Sequence, residues 1–246
     1  MTLAIIGGTG LTTLNGLQIE HREMVHTPYG EASGPITHGI LHGKRVMFLA
    51  RHGYGHTIPP HRVNYRANIW ALRQAGACRV LAVAAVGGIS EDLAPARIAF
   101  PDQIIDYTWC REHTFFDRDL TQVTHIDFTH PYDPGLRELL IEAAARAGVE
   151  ATTSGTYAAT QGPRLETAAE IRRLQNDGCH MVGMTGMPEA ALARELELPY
   201  ATCAVVANRA AGMGDQQVVS MEDIDNNLRT GMDRVRALLG ELIPRL

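Results

Sequence analysis

Short apolar runs that end in glycine or polar residues recur along the chain. They alternate with stretches whose apolar positions return every three or four residues. Leu3–Ile6 runs into Gly7-Gly8-Thr9-Gly10, Val46–Ala50 into Arg51-His52-Gly53, and Val80–Val86 into Gly87-Gly88. Such runs between turn signals predict strands buried on both faces. Residues 98–106, 152–160, 180–184 and 200–207 also read as strands, with Pro101 marking an edge or bulge. Helical spacing covers 64–75, stopped by Gly76, and 136–147, with Gly148 suited to the C′ position. It returns over 166–177, ending at Gly178, and over 188–196. The last helix opens with Ser220-Met221-Glu222-Asp223, a capping pattern. Its stripe is Met221, Ile224, Leu228, Met232, Val235 and Leu239. Residues 107–134 carry His, Asp, Thr and aromatics with no period, which fits a functional or interface loop better than a plain connection.

Alternating strands and helices predict a single α/β domain over residues 1–246. In such a sheet the loops beyond the strands' carboxyl ends gather into one crevice. The chain has 246 residues, 45% hydrophobic and 20% charged, with a net charge of −5. That length allows a substantial core. The acidic balance and the absence of a Lys/Arg block argue against nucleic-acid binding, which needs clustered cations. Apolar runs are too short to span a bilayer, and no basic leader precedes the first strand, so no membrane partner and a cytoplasmic location are expected. Cys78, Cys110, Cys179 and Cys203 form no C-x-x-C pair and read as small buried hydrophobes in a reducing compartment. Eleven histidines show no metal-ligand spacing, so no metal is expected.

The candidate chemistry lies at the strand ends. Gly7-Gly8-Thr9-Gly10 lets backbone N–H groups approach an anion, with Thr9 adding a hydroxyl; taken alone it is also an ordinary turn. Arg51 either caps the surface or offers a two-pronged guanidinium to phosphate. Thr185 stands at the mouth of the helix near Pro188, where an oxyanion is favoured. Together the three can converge on one anion. Glu166 opens a predicted helix, where the dipole alone favours a carboxylate, and Asn208 ends a strand, where it could be a turn residue. Paired, they could read a heterocycle: the carboxylate accepts from a ring N–H, and the amide serves a ring nitrogen and a carbonyl. Met184, Met221 and Ile224 are either core or an apolar lining. A non-catalytic nucleotide-binding module would need no separate phosphate site, and a dinucleotide-dependent oxidoreductase would need a different glycine spacing.

Several ordered motifs resemble one family over essentially the whole chain. They are Ile5-Ile6-Gly7-Gly8-Thr9-Gly10, Leu49-Ala50-Arg51-His52-Gly53, Val63-Asn64-Tyr65-Arg66-Ala67-Asn68-Ile69-Trp70, Gln161-Gly162-Pro163-Arg164 and Met184-Thr185-Gly186-Met187-Pro188-Glu189. The chain resembles the methylthioadenosine phosphorylases, which belong with the trimeric purine nucleoside phosphorylases. The resemblance implies a nucleoside phosphorylase-like fold, a mixed central β-sheet flanked by helices, and a homotrimer. It implies phosphorolysis of an N-glycosidic bond, with a nucleoside and inorganic phosphate as substrates and no cofactor. By motif position, Thr9, Arg51, His52, Thr185 and the backbone at Ala84 and Ala85 look like phosphate contacts. Met184 looks like the residue under the ribose, and Leu165, Glu166 and Asn208 like the base pocket. Asn208, Thr185 and Arg51 take the catalytic roles: anchored phosphate beneath an oxocarbenium-like sugar, and a donor to the departing purine.

Two departures set the expected specificity. The methylthioadenosine enzymes have Asp where this chain has Asn208, and a second Asp where it has Ala210. The 6-oxopurine enzymes have Asn at the first position and a Phe-Glu-Thr that Leu165-Glu166-Thr167 resembles. Both readers therefore point to a 6-oxopurine. At the sugar's 5′ end those enzymes place a His, whereas this chain has Met221, with Ile224 one turn on, as in an apolar methylthio pocket. His125 matches a residue that the family supplies from the neighbouring subunit. The expected substrate is 5′-methylthioinosine, with inosine or guanosine and methylthioadenosine as the alternatives.

Overall fold

A computed structural model describes residues 2–118, 120–214 and 220–246. Four strands set the frame: β1 (Thr2–Gly7), β4 (Lys44–Ala50), β5 (Ala77–Gly88) and β11 (Tyr200–Arg209). They run parallel in the order β4-β1-β5-β11, so their carboxyl ends share one side. β2 (Gln18–Glu23) and β3 (Ile36–Leu41) extend this sheet antiparallel beyond β4. On the other side, β10 (Met181–Gly183) crosses the last two residues of β5 antiparallel. Parallel to β10 follow β9 (Thr156–Ala159) and β7 (Gln103–Asp106). β6 (Ile98–Ala99) joins β11 antiparallel, and β8 (Ala151–Thr152) joins β6. The sheet is thus mixed, as the family resemblance implies.

Both faces of the central strands are covered, which is why their sequences are continuous apolar runs rather than alternating ones. Side chains still alternate between layers. Ala4, Ile6, Val80 and Ala82 pack toward α1 (Tyr65–Gln74) and α4 (Gly186–Glu195), on Ile69, Leu72, Ala190 and Leu192. Leu3, Ile5, Leu81 and Val83 pack toward α2 (Pro134–Arg146) and α5 (Met221–Leu242), on Leu140, Met232, Val235 and Leu239. α3 (Ala168–Asn176) closes a smaller cluster through Ile171 and Leu174. No helix among the described residues is long and apolar enough to cross a membrane.

The helix starts are set by side-chain caps on backbone N–H groups left open at a first turn. Asn64 accepts from Ala67 N, Asp133 from Leu136 N and Ser220 from Asp223 N. Thr167 and Glu170 cap each other reciprocally. That last cap corrects the expectation for Glu166: the helix begins after Thr167, so Glu166 precedes it rather than opening it. Two expected strands are each divided. Residues 98–106 break around Pro101 into β6 and β7, which join different partners. Residues 152–160 break at Gly155, whose φ of +137° suits glycine. Cys179 and Cys203 are buried as expected, but Cys78 and Cys110 are exposed. All four thiols are free.

Candidate active site

The carboxyl ends of β1, β4, β5 and β11 open onto a cavity of about 550 Å³. At its floor, β1 turns through Gly7 and Gly8. A Cβ at Gly8 would lie 2.7 Å from the carbonyl oxygen of Val83 and 2.9 Å from Arg51 Nη1, so only glycine lets these strands and the guanidinium close together. Thr9 Oγ1 is 3.1 Å from His56 Nε2.

Arg51 is 1% exposed at the end of β4. Its Nε and Nη2 donate to the two carboxylate oxygens of Glu189, at 2.7 and 2.8 Å, and Nη1 donates to the Val83 carbonyl at 3.0 Å. Glu189, on α4, is fully buried and also accepts from the Tyr200 hydroxyl at 2.8 Å. Burial works against the Arg51 charge, but the paired carboxylate outweighs it and holds the guanidinium firmly protonated. The two-pronged edge assigned from sequence to phosphate thus grips Glu189. What remains for an anion is one N–H on each terminal nitrogen.

His52 follows on the same strand end. Its Nδ1 donates to the Ile58 carbonyl at 2.8 Å, so the ring is the Nδ1–H tautomer. Burial first, and then the Arg51 charge, push its pKa down to about 4. The neutral ring leaves Nε2 as an acceptor. Ala84 and Ala85, on β5, bring backbone rather than bulk to the cavity wall. Thr185 is the N-cap residue of α4 but makes no side-chain bond to the helix backbone. Regular helix geometry starts only after Met187 (φ −118°, ψ 141°), as the sequence predicts from Pro188.

Glu166, which also lines the cavity, accepts at Oε1 from Thr160 Oγ1 at 2.6 Å. Asn208 Nδ2 donates to the Arg209 carbonyl at 2.5 Å, which orients the amide and leaves its carbonyl oxygen and second N–H for a ligand. A bulge lies just before it: Val206 pairs with Val86, while Asn208 pairs with Gly87. Asn208 is therefore a strand residue, not a turn residue. Ala210 is buried against Gly87, and its N–H donates to the Gly88 carbonyl. Leu165, Met184, Met221 and Ile224 complete the apolar part of the wall. One sequence candidate is elsewhere: His125 is exposed on the irregular segment and does not reach this cavity.

The cavity therefore presents the hydroxyls of Thr9 and Thr185, two guanidinium N–H groups and a neutral imidazole. The same cavity is lined by the Glu166 carboxylate and the Asn208 amide. A profile of the phosphorylase superfamily matches residues 2–244. The chain belongs to the phosphorylase superfamily. A probable S-methyl-5′-thioinosine phosphorylase of Pseudomonas syringae pv. tomato is 56% identical over 240 residues, covering 98% of this chain and 97% of that one. A 6-oxopurine nucleoside phosphorylase of Pyrococcus furiosus is 45% identical over 250 residues, covering 99% and 93%. Among solved structures, methylthioadenosine phosphorylase from Schistosoma mansoni in complex with adenine superposes with a TM-score of 0.94 at 31% identity, covering 99% and 91%.

Some residues that shape this phosphorylase site were not apparent in the sequence. Glu189 stands in the quoted Met-Pro-Glu motif, but nothing local marks its carboxylate as the partner of an arginine 138 residues away. Nothing local marks His56 or Thr160 either, because the partner of each lies remote in the chain or across a loop.

Proposed function

We propose that this phosphorylase cleaves 5′-methylthioinosine with inorganic phosphate, giving hypoxanthine and 5-methylthioribose 1-phosphate. The C1′–N9 bond breaks with its electron pair going to the purine, a phosphate oxygen bonds to C1′, and the purine gains at N7 a proton equivalent to the one the hydrogen phosphate gives up, exchanged through solvent. Phosphate is itself the nucleophile and the transfer is redox-neutral, so the chemistry calls for no organic cofactor. Thr9, Thr185, the free N–H groups of Arg51, and the Ala84–Ala85 backbone hold phosphate below the sugar. There its charge favours an oxocarbenium-like transition state. The neutral His52 Nε2 accepts a hydrogen bond from a protonated phosphate oxygen. Met184 packs under the ribose and Leu165 beside the base.

The observation that carries the reading is the pairing of Glu166 with Asn208 in one cavity. The Thr160 hydroxyl occupies one Glu166 oxygen, and the other accepts the N1–H that a 6-oxopurine carries and adenine lacks. The Asn208 amide donates to the 6-oxo group and accepts from N7–H of the departing base. Ala210, replacing a carboxylate, leaves no acceptor for a 6-amino group. Met221 and Ile224 offer an apolar surface to a methylthio substituent. A second reading, a broader 6-oxopurine nucleoside phosphorylase, is favoured by the exposure of Met221, which at 66% leaves the 5′ end open to water.

Specificity constants for methylthioinosine, inosine and methylthioadenosine on one preparation test this. Methylthioinosine is expected to be best. Parity with inosine removes the role of Met221 and Ile224, and methylthioadenosine as the best substrate removes that of Glu166 and Asn208. Asn208→Asp is expected to shift the methylthioadenosine to methylthioinosine ratio about 10- to 100-fold toward adenine. That follows from on the order of 1–3 kcal/mol per unpaired buried polar group.

The assembly is proposed as a homotrimer in which His125 serves a neighbour's site. In support, His125 stays out of its own cavity, and the segment that carries it exposes Leu120 and Val123. Free thiols on all four cysteines are compatible with a cytoplasmic setting.

A further inference from the structure

Arg111 lies on the irregular segment between β7 and α2, outside the lining of the cavity, yet only 9% of it is exposed. Its guanidinium donates to two loops. Nη1 reaches the carbonyls of Met184 (2.9 Å) and Met187 (2.6 Å). Nη2 reaches those of Thr160 (3.2 Å) and Gln161 (2.9 Å), and Nε the side-chain oxygen of Gln161 (3.2 Å). The Met187 carbonyl is available because that residue departs from helical geometry. Nη1 also meets the Tyr65 hydroxyl at 3.3 Å, and the guanidinium lies 5.4 Å from the Tyr65 ring centroid. Tyr65 in turn donates to the Pro60 carbonyl, on a third wall of the cavity.

The acceptors are carbonyl, amide and phenol oxygens, and they belong to the segments that carry the chemistry. The 160–161 loop leads to Leu165 and Glu166, and its Thr160 hydroxyl holds the Glu166 carboxylate. The 184–187 loop carries Met184 and Thr185. A planar, five-donor group can bridge such a set, whereas a lysine ammonium is a single point of donation. We propose that Arg111 is a positioning residue that locks the base-reading loop to the phosphate-and-ribose loop, so that occupancy of one orders the other. This deepens the nucleoside phosphorylase reading and rests on it.

Arg111→Lys is the direct test. It keeps the charge and loses the bridge, so kcat/KM is expected to fall between about 10- and 100-fold, the scale on which a small misplacement of reacting groups acts. The KM values for phosphate and nucleoside should rise together, because both loops shift. A folded Arg111→Lys enzyme with unchanged constants, or with only one KM affected, overturns the proposal. Hydrogen exchange on the native protein decides the matter even if the variant does not fold. Phosphate alone is expected to slow exchange across 160–166 as well as 183–188. Slowing confined to 183–188, or no slowing at either segment, overturns it. Native turnover of methylthioinosine, inosine and methylthioadenosine, run alongside, shows separately whether the substrate reading stands.

Discussion

At the scale of single residues, the site works by fixing protonation and orientation before any ligand arrives. His52 is the clearest case. Folded, it takes a proton only near pH 4, whereas a free imidazole takes one near 6.5. Between those values the unfolded chain binds more protons, so this residue's contribution to stability rises with pH and is lost on acidification. Denaturant titrations at several pH values should therefore show a shallower loss between pH 6.5 and about 4 for His52→Gln than for the parent chain. Equal slopes would mean that His52 ionises normally in the fold. Arg51 and Glu189 show the same economy in another form. Each buried charge has its counter-charge in place, so the guanidinium would meet the phosphate proposed for it without reorganising. Breaking such a pair from one side typically costs about 3–5 kcal/mol. Glu189→Ala should accordingly lower the melting temperature by several degrees as well as weaken phosphate binding, and a melting temperature equal to the parent's would contradict the pairing.

At the scale of elements, caps and loops decide where these residues stand. The reciprocal Thr167–Glu170 cap begins α3 at Ala168, two residues after Glu166. Thr167→Ala should cost about 1 kcal/mol in urea denaturation and raise the KM for the nucleoside more than that for phosphate. Equal effects on both would place the cap's influence elsewhere. How far the elements were legible follows from their burial. The central strands and α5 announce themselves because both faces of a strand, or one stripe of a helix, are apolar. β2, reading Gln-Ile-Glu-His-Arg-Glu, is almost wholly exposed, and no apolar pattern betrays it. The expected strands 98–106 and 152–160 are divided at Phe100-Pro101-Asp102 and at Thr153-Ser154-Gly155, and local pattern alone could not show that their halves join different neighbours. In the site, groups that meet the cavity from strand ends were readable. Arg111 and Glu189, which act from behind it, depend on contacts that local sequence does not encode.

At the scale of the whole molecule, the cavity is bounded by one parallel strand set and by the loops at its carboxyl ends. Leu165 and Met221, which line it, are both exposed. Light scattering should give the mass of three chains. His125→Ala should raise the nucleoside KM while leaving the melting temperature within a degree or so, and a monomer of normal activity would remove the neighbour from the mechanism. The bulge before Asn208 has a consequence for how such a protein can change. β11 otherwise pairs with β5 residue for residue, and the bulge adds one count just before the amide. Because side chains alternate across a strand, losing or gaining one residue there would turn the amide to the opposite face. On the proposed role of Asn208, base preference would drift by exchanging the side chain at 208 but not by insertion or deletion beside it: the count of residues would be as much a part of the proposed reader as the amide itself.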